Sequence, residues 1–200
     1  MTGIQALERA APTKLVKPAL VERREFEYIR HGTLTLIANF DVVSGQLSGF
    51  SLGPTRTELD FAAHIEGRVK SDPDAHWIFV ADQLNTHQSA SLVELVARLC
   101  QLEDELGIKG KSGVLHSMAS RKAFLSDKRH RIRMVYTPKH SSWLNQIEIW
   151  FSILMRRLLK RGNFKSVADL GEQITAFIAY FNTVLAKPFK WTYRGRPLQV

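Results

Sequence analysis

The chain has 200 residues, 28 Lys and Arg against 19 Asp and Glu, a net charge of +9 and an apolar fraction of 44%. This is enough length and apolar content for one ordinary domain and argues against wholesale disorder. One cysteine, Cys100, excludes an intrachain disulfide framework and a multi-cysteine zinc module, and the absence of a long apolar run or an apolar signal core gives no reason to expect membrane insertion or export.

The first 25 residues, with turn-forming Gly3, Pro12 and Pro18 and few periodic apolars, read as an irregular arm. Arg30 to Asp41 contains the β-branched run TLTLIANFD, and Ser44-Gly45 separates it from QLSGFSL, which predicts two strands joined by a short turn, with a third strand possible in Phe26 to Arg30. Thr57 opens a segment in which Phe61, Ile65 and Val69 recur every four residues, the spacing of an amphipathic helix. HWIFVAD at 76 to 82 reads as a buried strand ending on a carboxylate. Ser89 or Ser91 caps a helix with Leu92, Val96, Leu99 and Cys100 on one face, ended by Gly107 and Gly110, and His116 to Leu125 reads as a further short helix. RIRMVYT at 131 to 137 alternates as a strand does and is stopped by Pro138. Leu144 to Arg161 carries a helical stripe of Ile147, Phe151, Leu154 and Leu158, and Val167 to Leu185 predicts a last helix burying Leu170, Ile174, Phe177, Ile178 and Phe181. Residues 187 to 200 form a basic, turn-rich tail. The order implies an α/β domain with a mixed sheet flanked by helices.

The net charge is unevenly spread. Residues 1 to 105 carry 10 basic and 15 acidic side chains, and residues 106 to 200 carry 18 basic and 4 acidic, so the second half is the one expected to face a polyanion. A merely solvated basic surface is the competing reading. No glycine-rich phosphate loop or dinucleotide fingerprint is present.

Asp82 is the first candidate for chemistry, because it follows IFVA at the C-terminal end of a strand, where ligand sites of open α/β sheets gather. Asn85 and His87 follow in the same polar loop and could support it, or could simply cap the turn. Glu148 is the second, placed beside the core-facing Ile147 and Phe151, where a half-buried carboxylate needs a cation or a hydrogen bond. It could equally be an ordinary acidic residue in a helix's first turn. Together the two would offer hard oxygen ligands to Mg2+ or Mn2+, although a two-metal phosphoryl-transfer site normally has a third carboxylate. Lys139, His140, Trp143 and Asn145 form a polar and aromatic approach suited to phosphates or an unpaired base, with a lid role for Trp143 and a cap role for Asn145 as alternatives. Arg156, Arg157, Lys160 and Arg161, and the group Lys128, Arg129, Arg131 and Arg133, are read as a field that attracts a backbone.

VADQLNTH at 80 to 87 and HSSWLNQIEIWFSILMRRLLKRGNF at 140 to 164, with TGIQALE and LIANFDVVSGQ near the start, closely resemble the catalytic domain of bacterial insertion-sequence transposases of the mariner superfamily, which have an Asp-Asp-Glu site. The resemblance covers nearly the whole chain and implies a ribonuclease-H-like fold that cuts transposon ends and joins a 3'-hydroxyl to target DNA with Mg2+ or Mn2+. It places the second aspartate on Asp82 and the glutamate on Glu148, as catalytic residues and metal ligands. The first aspartate falls before Thr2-Gly3, so the resemblance implies a fragment without its first strand, without an N-terminal DNA-binding region and deficient in cleavage, with Asp41 a poor substitute. Between Asp82 and Glu148 lie 65 residues, longer than the common interval, which suggests an inserted segment within 100 to 130. The implied partners are transposon terminal repeats, target DNA and a second copy in a homodimer, without a membrane. The implied place is the cytoplasm, at the nucleoid when DNA is bound. The alternatives are a noncatalytic nucleic-acid-binding or regulatory protein with the same fold, and a different metal-dependent nuclease.

Overall fold

The computed structural model describes residues 1–12, 26–139, 141 and 144–188. Its strands are β1 (Ile4–Arg9), β2 (Tyr28–Asp41), β3 (Gln46–Gly53), β4 (Trp77–Ala81) and β5 (Ile132–Tyr136), and its helices are α1 (Glu58–Val69), α2 (Ala90–Cys100), α3 (Met118–Leu125), α4 (Ile147–Leu154) and α5 (Val167–Tyr180). This is a mixed α/β fold with a small sheet structure flanked by helices, in keeping with the ribonuclease-H-like expectation. No helix among the described residues is long and apolar enough to cross a membrane.

The sheet structure is in two pieces. The first half of β2 pairs antiparallel with β1, from Ile4 opposite Leu34 to Arg9 opposite Tyr28, and the second half pairs antiparallel with β3, from Thr35 opposite Gly53 to Asp41 opposite Gln46. Strands β4 and β5 pair with each other in parallel. Among the described residues no strand links β2 to β4.

Two cores result. One joins α1, α2 and α3 to β4 and β5 through Phe61, Ile65, Leu92, Val96, Leu125 and Met134. The other joins β1, β2 and β3 to α4 and α5 through Leu34, Leu36, Leu47, Trp150, Leu154 and Ile174. The strand period of two explains how β2 serves both: Leu36 is buried in the second core, whereas its neighbour Ile37 packs against the first.

The local signals explain most boundaries. Thr57 and Asp60 form a reciprocal capping box at the start of α1, and Ser89, Ser117 and Ser166 cap α2, α3 and α5. The turn between β2 and β3 uses Gly45 at φ +74°, where any side chain would collide with the Lys187 carbonyl. Asn182 holds the outer edge of β3, accepting from the Leu47 N–H at 2.9 Å and donating to the Leu47 carbonyl at 2.9 Å.

Several expectations change. The supposedly irregular first 25 residues contain β1, in which Ile4 and Ala6 are buried, because the long β2 offers them a partner that local pattern does not reveal. The separate strand allowed at Phe26 to Arg30 is instead the start of β2. Strand β4 is not fully buried: Ile78 and Val80 are 55% and 58% exposed, since only alternate residues reach the first core. Helix α2 stops at Gln101 in the left-handed conformation, before Gly107, and α4 and α5 each end in a π-helical turn, Met155–Leu159 and Phe181–Leu185. Arg131 belongs to the fold and not to a free basic field, since it donates to the carbonyls of Ala75 and Leu99 at 3.0 Å each. The basic tail from residue 189 and most of the arm lie outside the described residues.

His64 on α1 is 7% exposed, with Nδ1 2.8 Å from Ser51 Oγ and Nε2 without a partner among the described residues. Burial pushes its pKa down to about 4. The folded state therefore resists protonation of a group that titrates near 6.5 when unfolded, so the stability linked to neutral His64 is complete above pH 6.5 and drains as pH falls from 6.5 to 4. Over that window the loss is roughly 3 kcal/mol. Urea unfolding at a series of pH values should show it, and His64→Gln should flatten that part of the curve; an unchanged pH dependence in the variant would refute the assignment.

Candidate functional site

A cavity of about 630 Å³ opens between the second half of β2 and β4. Asp82, His87 and Arg56 line it, as do Asn145 and Glu148 from the start of α4. The topology assembles these residues from distant parts of the chain: the end of β4 presents Asp82, the segment before α1 presents Arg56, and the first turn of α4 presents Glu148. Asp82 and Glu148 both act electrostatically on the Met1 amine, which donates to the Leu36 carbonyl at 2.7 Å. Burial above all, and then Arg56, lower that amine, the two carboxylates oppose them, and the balance leaves it at about 6.

Asp82 is held firmly. Its Oδ1 lies 2.7 Å from His87 Nδ1 and accepts from the Leu84 N–H at 3.1 Å. Because a carboxylate only accepts, Nδ1 carries the proton toward it. The His87 ring lies 4.2 Å from that of Phe61, and the Tyr136 hydroxyl donates to the His87 carbonyl at 2.7 Å, so the histidine is fixed from three sides. Burial works to raise the Asp82 carboxyl, but the His87 hydrogen bond and charge, the Leu84 amide and the Arg56 guanidinium together hold it below the usual carboxylate value. Both described bonds fall on Oδ1, which leaves Oδ2 as the oxygen to offer a cation.

Glu148 departs from its expectation: it is exposed, not half-buried. Helix α4 turns Ile147, Trp150, Phe151 and Leu154 inward at helical spacing, and a residue one step from Ile147 is rotated about 100° off that stripe. Asn145 is not the cap of α4, a position taken by Gln146; its carbonyl accepts from the Glu148 N–H at 3.0 Å. Asn85 is exposed at the head of a short 3₁₀ turn, Asn85–Gln88, and does not line the cavity. Lys139 is exposed, and His140 and Trp143 lie outside the described residues. Arg156, Arg157, Lys160 and Arg161 are exposed at the end of α4, on a patch separate from the cavity lining.

Asp41 also lines the cavity, but its carboxylate accepts from the Val43 N–H at 2.9 Å and the Ser44 hydroxyl at 2.7 Å and serves the β2–β3 turn. Arg56 is the site residue that sequence reading passed over; its signal was a lone cation between the Gly53-Pro54 break and the Thr57 cap, too common a pattern to single out.

Whether these residues suit a divalent ion follows from the donor set. Asp82 and Glu148 are hard oxygen donors on one cavity, which fits Mg2+ or Mn2+ in kind. In number they fall short, since no group of three His, Cys, Asp or Glu able to hold a metal occurs among the described residues.

A DDE superfamily endonuclease family model matches residues 8–171. No curated protein and no solved structure matches the chain.

Proposed function

The chain belongs to the DDE superfamily endonucleases, and from that membership we propose that it is part of the catalytic domain of a bacterial insertion-sequence transposase of the mariner type, whose chemistry is cleavage at transposon ends and joining of a 3'-hydroxyl to target DNA. The observation that carries this reading is the meeting of Asp82 and Glu148 on one cavity across 65 intervening residues. A divalent ion bound there would supply charge neutralisation at the phosphate and help to activate the attacking oxygen. The chain's own residues divide the remaining work. Asp82 offers Oδ2 while His87 fixes the orientation of its carboxylate, Glu148 offers a second carboxylate, and Arg56 adds a cation that suits a phosphate at the same mouth.

With two such carboxylates the described residues do not fill a ligand set, so we propose a chain deficient in cleavage on its own. Labelled duplex carrying the inverted repeats that flank its coding sequence should bind and should not be joined to target DNA in Mg2+ or Mn2+. Robust strand transfer by this chain alone would overturn the deficiency.

The exposed basic group at the end of α4 is proposed to hold the DNA backbone. Replacing Arg156, Arg157, Lys160 and Arg161 together by Gln should make the plot of log affinity against log salt shallower by about 2 to 4, because each lost phosphate contact removes about 0.9. Fluorescence anisotropy over a salt series measures this, and an unaltered slope would place the DNA elsewhere. The shortage of ligands also favours a second reading, a noncatalytic DNA-binding or regulatory protein with this fold. It requires that Mn2+ leave the Asp82 and Glu148 amide signals unbroadened and that Glu148→Gln leave DNA binding unchanged.

A further inference from the structure

Two cations of α3, Arg121 and Lys122, reach the loop that follows Asp82, and we infer that they are positioning residues for the Asp82 carboxylate, acting through residues 83–88. The inference rests on the reading of Asp82 as a site residue and adds the part of the fold that orients it.

Residues 83–88 lead from β4 to α2 as a polar loop with one short 3₁₀ turn. The Val93 N–H donates to the Ser89 carbonyl, so the helical ladder of α2 begins there and the carbonyls of His87 and Gln88 lie ahead of it. Side chains from elsewhere donate to both. Arg121 Nε donates to the Gln88 carbonyl at 2.8 Å, and the Tyr136 hydroxyl donates to the His87 carbonyl. The same guanidinium donates through Nη1 to the Leu115 carbonyl at 3.1 Å, two residues before the Ser117 cap. One planar fork thus clips the approach to α2 to the approach to α3, a task that suits guanidinium better than ammonium.

The other end of the loop is held in the same way. Lys122 Nζ donates to Gln83 Oε1 at 3.3 Å, and Gln83 Nε2 donates to the Thr137 carbonyl at 2.7 Å, which ties the residue after Asp82 to the end of β5. Lys122 also lies 5.4 Å over the ring of Tyr136, whose hydroxyl meets His87. The loop is therefore gripped at Gln83, His87 and Gln88, and Gln88 is only 4% exposed. Between these grips His87 keeps Nδ1 2.7 Å from Asp82 Oδ1, and the carboxylate keeps one orientation.

Packing alone does not account for the two cations. Leu125 and Phe124 supply the contact of α3 with the first core. Neither Arg121 nor Lys122 has a carboxylate partner among the described residues. The charges that act on the Asp82 carboxyl are His87 and Arg56, so the influence of α3 passes through the shape of the loop and not through its field.

The tautomer of His87 reports the outcome without any metal, because the bond a ring nitrogen makes decides which of the two carries the proton. Ring nitrogen NMR shifts are read on the whole chain at about pH 8, above the ordinary histidine range. The parent should hold the proton on Nδ1. Arg121→Met keeps an apolar stem and removes the donors. It should release the ring to a mixture of tautomers and lower Mn2+ affinity at the cavity about fivefold, less than the loss of a direct partner of a ligand. Arg121→Lys keeps the charge without the fork and should resemble Arg121→Met. Lys122→Met frees Gln83, should act in the same direction, and decides alone if Arg121→Met does not fold. A parent without a fixed tautomer would overturn the inference, as would variants that keep it and lose only thermal stability. So would a released ring with unchanged Mn2+ affinity in a protein whose Asp82→Asn variant loses that affinity. If Asp82→Asn keeps its Mn2+ affinity, the reading of the site fails instead, and the ring shifts still decide whether α3 orients the loop.

Discussion

Asp82→Asn should lower Mn2+ affinity at the cavity at least tenfold while moving the thermal midpoint by only a few degrees. The substitution keeps the shape of the side chain and removes its charge, which is what a hard dication and the His87 N–H both use. Each factor of ten corresponds to about 1.4 kcal/mol, well within the several kcal/mol that a metal-bound charge contributes. In a protein whose ligand set is complete, the same change should slow strand cleavage by about 10³ or more, for the same reason. Paramagnetic broadening by Mn2+ checks the first outcome and a labelled-strand assay the second. Glu148→Gln should match Asp82→Asn in Mn2+ affinity but leave the His87 ring signals unmoved. If Asp82→Asn leaves both affinity and cleavage unchanged, Asp82 has no part in the site.

Trp150→Ala should cost about 3 to 5 kcal/mol, enough to unfold much of a marginally stable domain. The indole is 1% exposed and packs with Phe181 at 6.0 Å, edge to face, and with Phe151 and Phe177 at 5.8 and 6.4 Å, so truncation empties the middle of the second core. Its Nε1–H has no partner among the described residues, a defect that partly offsets the value of the ring. Trp150→Phe removes that donor and retains a ring, and should stay within about 1 kcal/mol of the parent. Urea unfolding of the two variants decides the matter: a mild Trp150→Ala would mean that α4 is not anchored there.

Elements whose signals are local were legible in the sequence. Thr57 with its four-residue apolar repeat specified α1, Ser89 specified the start of α2, and the alternation of RIRMVYT specified β5. The site was legible in part for the same reason, since a carboxylate closing an apolar run is a local pattern and Asp82 is where it was expected. What failed depended on partners. Strand β1 has too weak an alternation to stand out until β2 is beside it, Glu148 is exposed because the inward arc of α4 is set by what α5 and β2 present, and Trp150, skipped in the stripe of Ile147, Phe151, Leu154 and Leu158, is the most deeply buried of these aromatic and aliphatic positions save Leu154. Arg56 carries no pattern of its own and acquires meaning only from the cavity it enters.

The separation of the sheet structure into two pieces with two cores has a consequence for how the molecule holds together in time. Cooperative unfolding requires that the loss of one region remove contacts from the other, and here much of that coupling passes through β2, with Leu36 in one core and Ile37 against the other, and through α1, which touches β3. With no backbone ladder across the gap among the described residues, the piece containing β4 and β5 can open while the β1–β3 piece stays folded, so the two should exchange their amides as separate units with different opening energies. Each core alone is small, and small cores open often.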